Sequence, residues 1–196
     1  MENFENHCEL PTDFGTFVMY DTGDEDVHTI VFDNIENLTG IPLVRIQSSC
    51  IASEIFNAVD CDCADQLKES MRLISEEGQG IIIHLTQEGR GHGLSKKIEA
   101  VSLMQEKGLD TVEAFEFLKL EQDVRDYKKA TDILSKLGIE KIRLITNNPS
   151  KIESVEAQGI EVVESIKTNP TVREENFDYL ISKNDKLGHE IPIEDD

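Results

Sequence analysis

The sequence predicts an α/β fold, a single domain with a mixed β-sheet flanked by helices, on three observations. Residues 81–85 form an uninterrupted apolar run, which is typical of a buried central strand. Residues 66–74 have helical spacing and are followed by the glycines at 78 and 80, which end helices. Residues 43–47 form a β-type run before that helix. A helix between two strands favours a parallel pair, and therefore α/β architecture.

The remaining elements follow from local patterns. Residues 17–20 and 28–32 predict a hairpin around an acidic turn, whereas residues 1–16 carry little pattern. Beyond the central strand the spacing of apolar residues, with glycine and proline as stops, predicts in order a helix over 94–107, a helix over 127–137, a strand over 142–145, a helix over 152–158 and a strand over 160–163.

The composition limits the class of protein. A chain of 196 residues with 38% hydrophobic content suits one domain, residues 1–196. The net charge of -21 disfavours non-specific binding to nucleic acid, and no run approaches the roughly 20 apolar residues of a membrane span. The acidic start lacks the pattern of a signal peptide, so we expect a cytoplasmic protein. Residues 1–15 and the acidic residues 192–196 are expected to be flexible.

Three cysteines indicate a metal site. Cys50, Cys61 and Cys63 have the spacing Cys-x10-Cys-x-Cys. A closed structural zinc site needs four ligands, whereas a catalytic site uses three and leaves a position for water. Such a water has its pKa lowered to about 7 and is a hydrolytic nucleophile. The alternative is three ordinary buried thiols, against which the neighbouring Asp60 and Asp62 argue.

Other polar segments have two interpretations each. The glycine-rich residues 87–93 follow the central strand and precede a helix, which suits an anion site but also a plain connection. His92, between two glycines, is a candidate for substrate contact, and Lys151 follows a strand-end turn where a phosphate can bind. By composition alone, Asp123 and Arg125 are ordinary exposed charges. Cys8 is expected to be an unpaired thiol, with a role as a fourth metal ligand as the alternative.

Five motifs, taken together, resemble GTP cyclohydrolase II, the enzyme that opens riboflavin biosynthesis. The likeness covers about residues 43–163 and is fainter over 176–189. The motifs are the three cysteines, Gln-Glu-Gly-Arg-Gly at 87–91, Asp-Thr-Val-Glu-Ala at 110–114, Asp-x-Arg-Asp at 123–126 and Thr-Asn-Asn-Pro-x-Lys at 146–151. Five motifs in the family's order are far more specific than any one of them.

The resemblance implies a homodimeric α/β enzyme with one Zn²⁺ per chain on the three cysteines and Mg²⁺ on a bound triphosphate. Water activated by zinc would open the imidazole ring of GTP at C8, and a second hydrolysis would release formate. Pyrophosphate would leave through Arg125 as nucleophile, with Asp123 as proton acceptor. A guanidinium is nearly always protonated, so it needs an adjacent carboxylate for that role.

The family's nucleotide contacts carry over to residues of suitable type. Arg and Lys offset triphosphate charge inside an acidic protein, and Glu88 can accept the N–H donors of a guanine edge. The implied contacts are Arg45, Ile46, Gln47, Ser48, Ser49, Gln66, Glu88, Gly89, Arg90, Thr111, Thr146 and Lys151.

The sequence also departs from the family pattern. Gln47 and Ser49 stand where the family has His and Glu, Thr86 replaces an Arg, and His92 replaces an aliphatic residue. Val101 occupies the position of a tyrosine that the family uses during hydrolysis, and valine has no hydrogen-bonding group. We therefore expect ring opening to survive better than formate release, with a formylated product. The alternative is a paralogue that binds a purine nucleotide without turnover or acts on a different one.

Overall fold

A computed structural model describes residue 4 and residues 6–193. One seven-stranded sheet runs through it, in the order β1-β2-β3-β5-β4-β6-β7. The strands are β1 His7–Thr12, β2 Gly15–Tyr20, β3 Val27–Phe32, β4 Leu43–Ser48, β5 Gly80–Leu85, β6 Lys141–Ile145 and β7 Glu161–Ile166. The helices are α1 Ile51–Glu54, α2 Cys63–Glu77, α3 Leu94–Lys107, α4 Thr111–Phe117, α5 Lys128–Lys136, α6 Pro149–Ala157 and α7 Glu174–Leu187.

The strand pairing confirms the α/β prediction. β4 and β5 are parallel and are joined through α2, with Val44 opposite Ile81. β3 runs antiparallel to β5, which makes the sheet mixed. The predicted hairpin is β2 with β3, where Phe17 lies opposite Phe32.

The N-terminal strand corrects one prediction. Flexibility over residues 1–15 is wrong for His7–Thr12, which pairs with β2 from His7 opposite Tyr20 to Thr12 opposite Gly15. β1 is an edge strand that buries no complete face, so its sequence shows no alternation. An edge position also suits Pro11, which lacks an N–H for a second ladder. Residues 1–3, 5 and 194–196 lie outside the described residues, and flexibility there stays a prediction.

The core lies on both faces of the sheet, which explains the apolar run in β5. Ile81 and Ile83 pack in one cluster with Leu134 of α5. Ile82 points the other way and packs with Ile74 of α2. A strand covered on both faces loses the polar half of its alternation.

Three helices, α1, α4 and α7, were not predicted from the sequence. α4 begins at Asp110, whose side chain accepts hydrogen bonds from the backbone N–H groups of Val112 and Glu113 in a capping box. α7 ends at Gly188 in the left-handed conformation. Among the helices of the described residues, none is both long and apolar enough to cross a membrane.

The order of the parallel strands creates a crevice. β5 lies on one side of β4 and β6 on the other, so the connections that leave β4 and β6 diverge. Ligands of open α/β sheets bind at such a switch point, outside the carboxyl ends of the strands. Cys50 follows the carboxyl end of β4.

Candidate active site

A cavity of about 430 Å³ opens at this switch point. Ten residues proposed from the sequence line it: Arg45, Gln47, Ser48, Cys63, Gln66, Arg90, Asp123, Arg125, Thr146 and Lys151. They come from separate motifs on β4, α2, β6, α6 and the connections between elements, and the fold brings them together.

The cavity is cationic, although the chain carries a net charge of -21. Arg45, Arg125, Lys151 and Lys183 all line it. The ammonium of Lys151 is buried and donates to the carbonyl of Ile46 at 2.7 Å. Burial, together with the neighbouring Arg45 and Arg125, holds the pKa of Lys151 well below its usual value. Among the described residues Arg45 and Lys151 have no carboxylate in an ion pair with them, so a bound polyanion would relieve this repulsion.

A buried network orients Arg45. Its Nε donates to Oε1 of Gln47 at 2.8 Å, and its Nη2 donates to Oε1 of Gln66 at 2.6 Å. Gln47 in turn donates through Nε2 to Oε1 of Glu54 at 2.7 Å. His84 Nε2 lies 3.0 Å from the other oxygen of Glu54. Gln47, one of the departures from the family pattern, therefore has a defined role in positioning a cavity cation.

Asp123 and Arg125 form a close ion pair rather than two separate exposed charges. The Nε of Arg125 donates to both carboxylate oxygens of Asp123, at 2.9 and 3.1 Å. Burial opposes ionisation of Asp123, but the hydrogen bonds from Arg125 hold the pKa of Asp123 below its usual value. Burial likewise opposes the charge on Arg125, and its bond with Asp123 raises the pKa of Arg125 above normal.

The glycine-rich loop supports this pair. The backbone N–H of Val124 donates to the carbonyl of Arg90 at 3.0 Å. Gly91 has a φ of +92°, and a Cβ there would lie 3.0 Å from the backbone carbon of Val124. Gly91 therefore allows the glycine-rich loop to lie close to the segment that carries Arg125.

The three predicted cysteines converge. The Sγ atoms of Cys50 and Cys61 are 3.8 Å apart and those of Cys61 and Cys63 are 3.3 Å apart. A tetrahedral zinc with Zn–S bonds of about 2.3 Å places its sulfurs roughly 3.8 Å apart. Within the part of the chain that the structure describes, this is the one group of His, Cys, Asp and Glu ligands close enough to hold a metal ion. Cys63 also lines the cavity, so the cluster and the cationic cavity adjoin.

The protonation of the thiols also suits a metal. Hydrogen bonds from Cys61 and Cys63 hold the pKa of Cys50 far below its usual value. Hydrogen bonding to Cys50 raises the pKa of Cys61 to about 12, and it raises the pKa of Cys63 as well. Metal ligands must be thiolates, so a cation is needed to deprotonate the second and third sulfurs. The donor set fits Zn²⁺.

A buried ion pair beneath the cluster was missed from the sequence. Asp62, fully buried between two of the cysteines, pairs with Lys183 of α7. Gln66 Nε2 donates to the other oxygen of Asp62 at 2.5 Å. Burial opposes ionisation of Asp62, but Lys183 holds the pKa of Asp62 below its usual value. The ion pair therefore links α7 to the segment that carries Cys61 and Cys63.

His189 was also missed from the sequence. The faint family likeness over residues 176–189 was a signal for both Lys183 and His189. His189 lines the cavity, and its Nδ1 is buried without a partner among the described residues. Burial, followed by the charges of Lys183 and Arg125, lowers the pKa of His189 to about 3. A neutral imidazole thus stands among the cations at neutral pH.

Several sequence-proposed contacts lie outside the cavity lining. Ile46 is fully buried in the core, and the Oγ atoms of Ser49 and Thr111 are buried without partners among the described residues. Glu88 is buried too, and Gly89 begins a short 3₁₀ turn. A nucleotide contact by any of these five residues stays a prediction.

Two further candidates are engaged elsewhere. His92 Nε2 lies 2.9 Å from the carbonyl of Glu121 and its ring packs against Phe115. Cys8 is exposed on β1 and does not belong to the cysteine cluster. The structure therefore favours the unpaired thiol for Cys8.

Replacing His189 by glutamine is expected to flatten the acid dependence of stability. The pKa of His189 is about 3 in the folded chain against an ordinary 6.5, so the unfolded state binds the extra proton between these values. The free energy of unfolding therefore falls as the pH drops below 6.5, by up to about 1.4 kcal/mol per pH unit. Urea unfolding at pH 7 and pH 5 should show a larger loss for the wild type than for His189→Gln. His7→Gln, at an exposed site, is the control; equal losses in all three proteins would contradict the assignment.

An α/β sheet with a cation-lined switch-point crevice beside three converging thiols is suited to bind an anionic ligand next to a metal ion. The family model described as GTP cyclohydrolase II matches residues 2–167. The chain belongs to the GTP cyclohydrolase II family.

Its curated relatives are longer chains. The riboflavin biosynthesis protein RibBA of Bacillus cereus is 42% identical over 188 residues, which cover 94% of this chain and 47% of the relative. RibBA of Staphylococcus saprophyticus is 41% identical, with 93% and 46% covered. The chain thus spans about half the length of the curated relatives it matches. A crystal structure of RibBX, a two-domain 3,4-dihydroxy-2-butanone 4-phosphate synthase from A. baumannii, aligns with a TM-score of 0.42 at 14% identity, covering 83% of this chain and 39% of that one.

Proposed function

We propose that this chain opens the guanine imidazole ring of GTP by zinc-dependent hydrolysis and releases pyrophosphate, within riboflavin biosynthesis. The product is a diaminopyrimidine ribosyl phosphate. Formate release is the weakened step of the reaction. The observation that carries the proposal is the cationic cavity that adjoins the three thiols through Cys63.

The two halves of the site have separate tasks in this proposal. Zn²⁺ on Cys50, Cys61 and Cys63 supplies an activated water when bound. Arg45 and Lys151 bind the triphosphate, to which Mg²⁺ is coordinated. The buried network around Arg45 keeps its guanidinium fixed, so it does not need to reorganise as charge develops.

Arg125 and Asp123 serve phosphate chemistry. In our proposal Arg125 takes the nucleotidyl group as pyrophosphate leaves, and Asp123 accepts its proton. The bidentate contact between the two side chains supplies the required acceptor at 2.9 Å. The same contact favours the charged guanidinium, so the proton transfer is the demanding part of this step.

Val101 accounts for the weakened formate release. It lies one helical turn after Lys97 on α3, and Lys97 contacts Cys50. Residues four apart share a helix face, so we infer that position 101 lies on the side of α3 that carries Lys97. Valine offers no hydrogen bond to a water or an intermediate there.

The test is a mass spectrum of the products that the zinc-loaded protein makes from GTP. We expect pyrophosphate and a pyrimidine that retains its formyl group. Val101→Tyr should increase formate release by about 10-fold or more, since a lost catalytic hydrogen bond costs about 10²–10³-fold. Unchanged formate release would refute the role of position 101. GTP binding with no new product would instead favour the non-catalytic paralogue.

We also propose that the chain forms a homodimer. Large apolar side chains are exposed after α1 and along α3, on the two segments beside the metal cluster: Ile55, Phe56, Val59, Leu94 and Ile98. Contiguous exposed apolar surface marks interaction sites. Phe56 is the most exposed of them, at 76%.

Replacing Phe56 by aspartate is expected to shift the protein toward the monomer, because a charge placed in an apolar interface must be desolvated. Light scattering across a dilution series measures the shift. Phe117→Asp, at another exposed phenylalanine on α4, is the matched control. A dimer that tolerates Phe56→Asp as well as Phe117→Asp would exclude this surface.

A further inference from the structure

Lys97 makes two contacts that join the glycine-rich loop to the metal cluster. Its Nζ donates to Sγ of Cys50 at 3.1 Å and to Oε1 of Glu88 at 2.5 Å. The second oxygen of Glu88 accepts the backbone N–H of Ile51 at 2.8 Å. A closed chain of contacts therefore runs from Cys50 through Lys97 and Glu88 to the residue after Cys50.

These contacts are shielded from water. Cys50 is 4% exposed and Glu88 is 6% exposed, while about a quarter of the Lys97 side chain is accessible. Hydrogen bonds between charged groups are stronger and more directional in such surroundings than at an open surface. Both oxygens of Glu88 are engaged, which fixes the Lys97 ammonium against the sulfur.

A thiolate cluster benefits from such a donor. Three thiolates around one Zn²⁺ leave a net negative charge on the sulfurs, and an ammonium that donates to one sulfur stabilises it. Partners that orient a metal ligand typically change metal affinity by about 10–100-fold when they are removed.

We propose that Lys97, held in place by Glu88, is a positioning residue that orients Cys50 and tightens the binding of Zn²⁺. The inference rests on the proposed zinc site. It also gives Glu88 a structural role in the metal centre, while the guanine contact implied by the family resemblance stays a prediction.

The test is the zinc dissociation constant of the full chain, measured by competition with a colorimetric chelator. Lys97→Met should weaken zinc binding by about 10–100-fold, whereas Lys97→Arg retains a donor and should recover part of the affinity. Lys96→Met is the matched control, because Lys96 is exposed and pairs with Glu99 on the surface. In the cobalt-substituted protein, the thiolate-to-metal absorption band should shift for Lys97→Met and stay unchanged for Lys96→Met.

The zinc dissociation constants distinguish failure of this inference from failure of the proposed function. Equal dissociation constants for Lys97→Met and Lys96→Met would overturn the inference. A wild-type chain that binds no zinc would refute the proposed function instead. If Lys97→Met fails to fold, Glu88→Gln decides: it removes the carboxylate charge that pairs with Lys97, and wild-type zinc affinity in that variant would overturn the proposal.

Discussion

Replacing Arg125 by alanine is expected to lower the rate of pyrophosphate release from GTP by about 10³-fold or more, the range found for catalytic arginines in phosphate chemistry. Arg125 lines the cavity and pairs with Asp123, so its loss removes both a phosphate-binding charge and the proposed nucleophile. A coupled assay for pyrophosphate measures the rate. Arg143→Ala is the control, since Arg143 forms surface ion pairs with Glu77 and Glu164.

A second variant separates the two roles of Arg125. The Arg125→Lys variant keeps a positive charge but loses the fork that contacts Asp123. If Arg125 only stabilises charge, Arg125→Lys should retain far more activity than Arg125→Ala. If Arg125 takes the nucleotidyl group, both variants should be similarly inactive, and Asp123→Asn should follow them. Near wild-type turnover by Arg125→Ala would refute any catalytic role.

Replacing Asp62 by alanine is expected to destabilise the fold by about 3–5 kcal/mol. The Lys183 side chain is only 8% exposed and would lose its ion-pair partner in the interior. Urea unfolding of the metal-free protein measures this free energy without a contribution from zinc. Asp65→Ala is the control, because Asp65 pairs with Arg173 at a more exposed site, where such pairs contribute about 1 kcal/mol or less.

A double-mutant cycle tests whether Asp62 and Lys183 stabilise the fold as a pair. Lys183→Met should also be strongly destabilising, since it leaves the Asp62 carboxylate buried. The double variant Asp62→Ala with Lys183→Met should be more stable than the sum of the single losses implies, because no charge remains unpaired. Additive losses would show that the two charges are not coupled.

Elements with a clear period were predictable from the sequence. β4, α2 and β5 were expected from apolar runs and from glycine stops, and the left-handed Gly78 does end α2. The convergence of Cys50, Cys61 and Cys63 was also expected, because they follow one strand at short spacing. In these segments local propensity and tertiary structure agree.

The missed features depend on contacts between distant residues. β1 is stabilised by pairing with β2 rather than by a buried face, so its sequence shows no alternation. Lys183 meets Asp62 across 121 positions of the chain, and no local pattern encodes that contact. The carboxylate of Glu88 accepts hydrogen bonds from Lys97 and from the backbone of Ile51, and no local pattern encodes these contacts either.

The placement of α7 bears on where this domain can be cut or fused. The family match ends at residue 167, before α7 begins at Glu174. A fragment that stops at residue 167 would retain every strand of the sheet and all three thiols, but it would lose Lys183 and His189. Its Asp62, beside two metal ligands, would then lack the counter-ion that Lys183 supplies. The boundary suited to protein engineering therefore lies beyond His189.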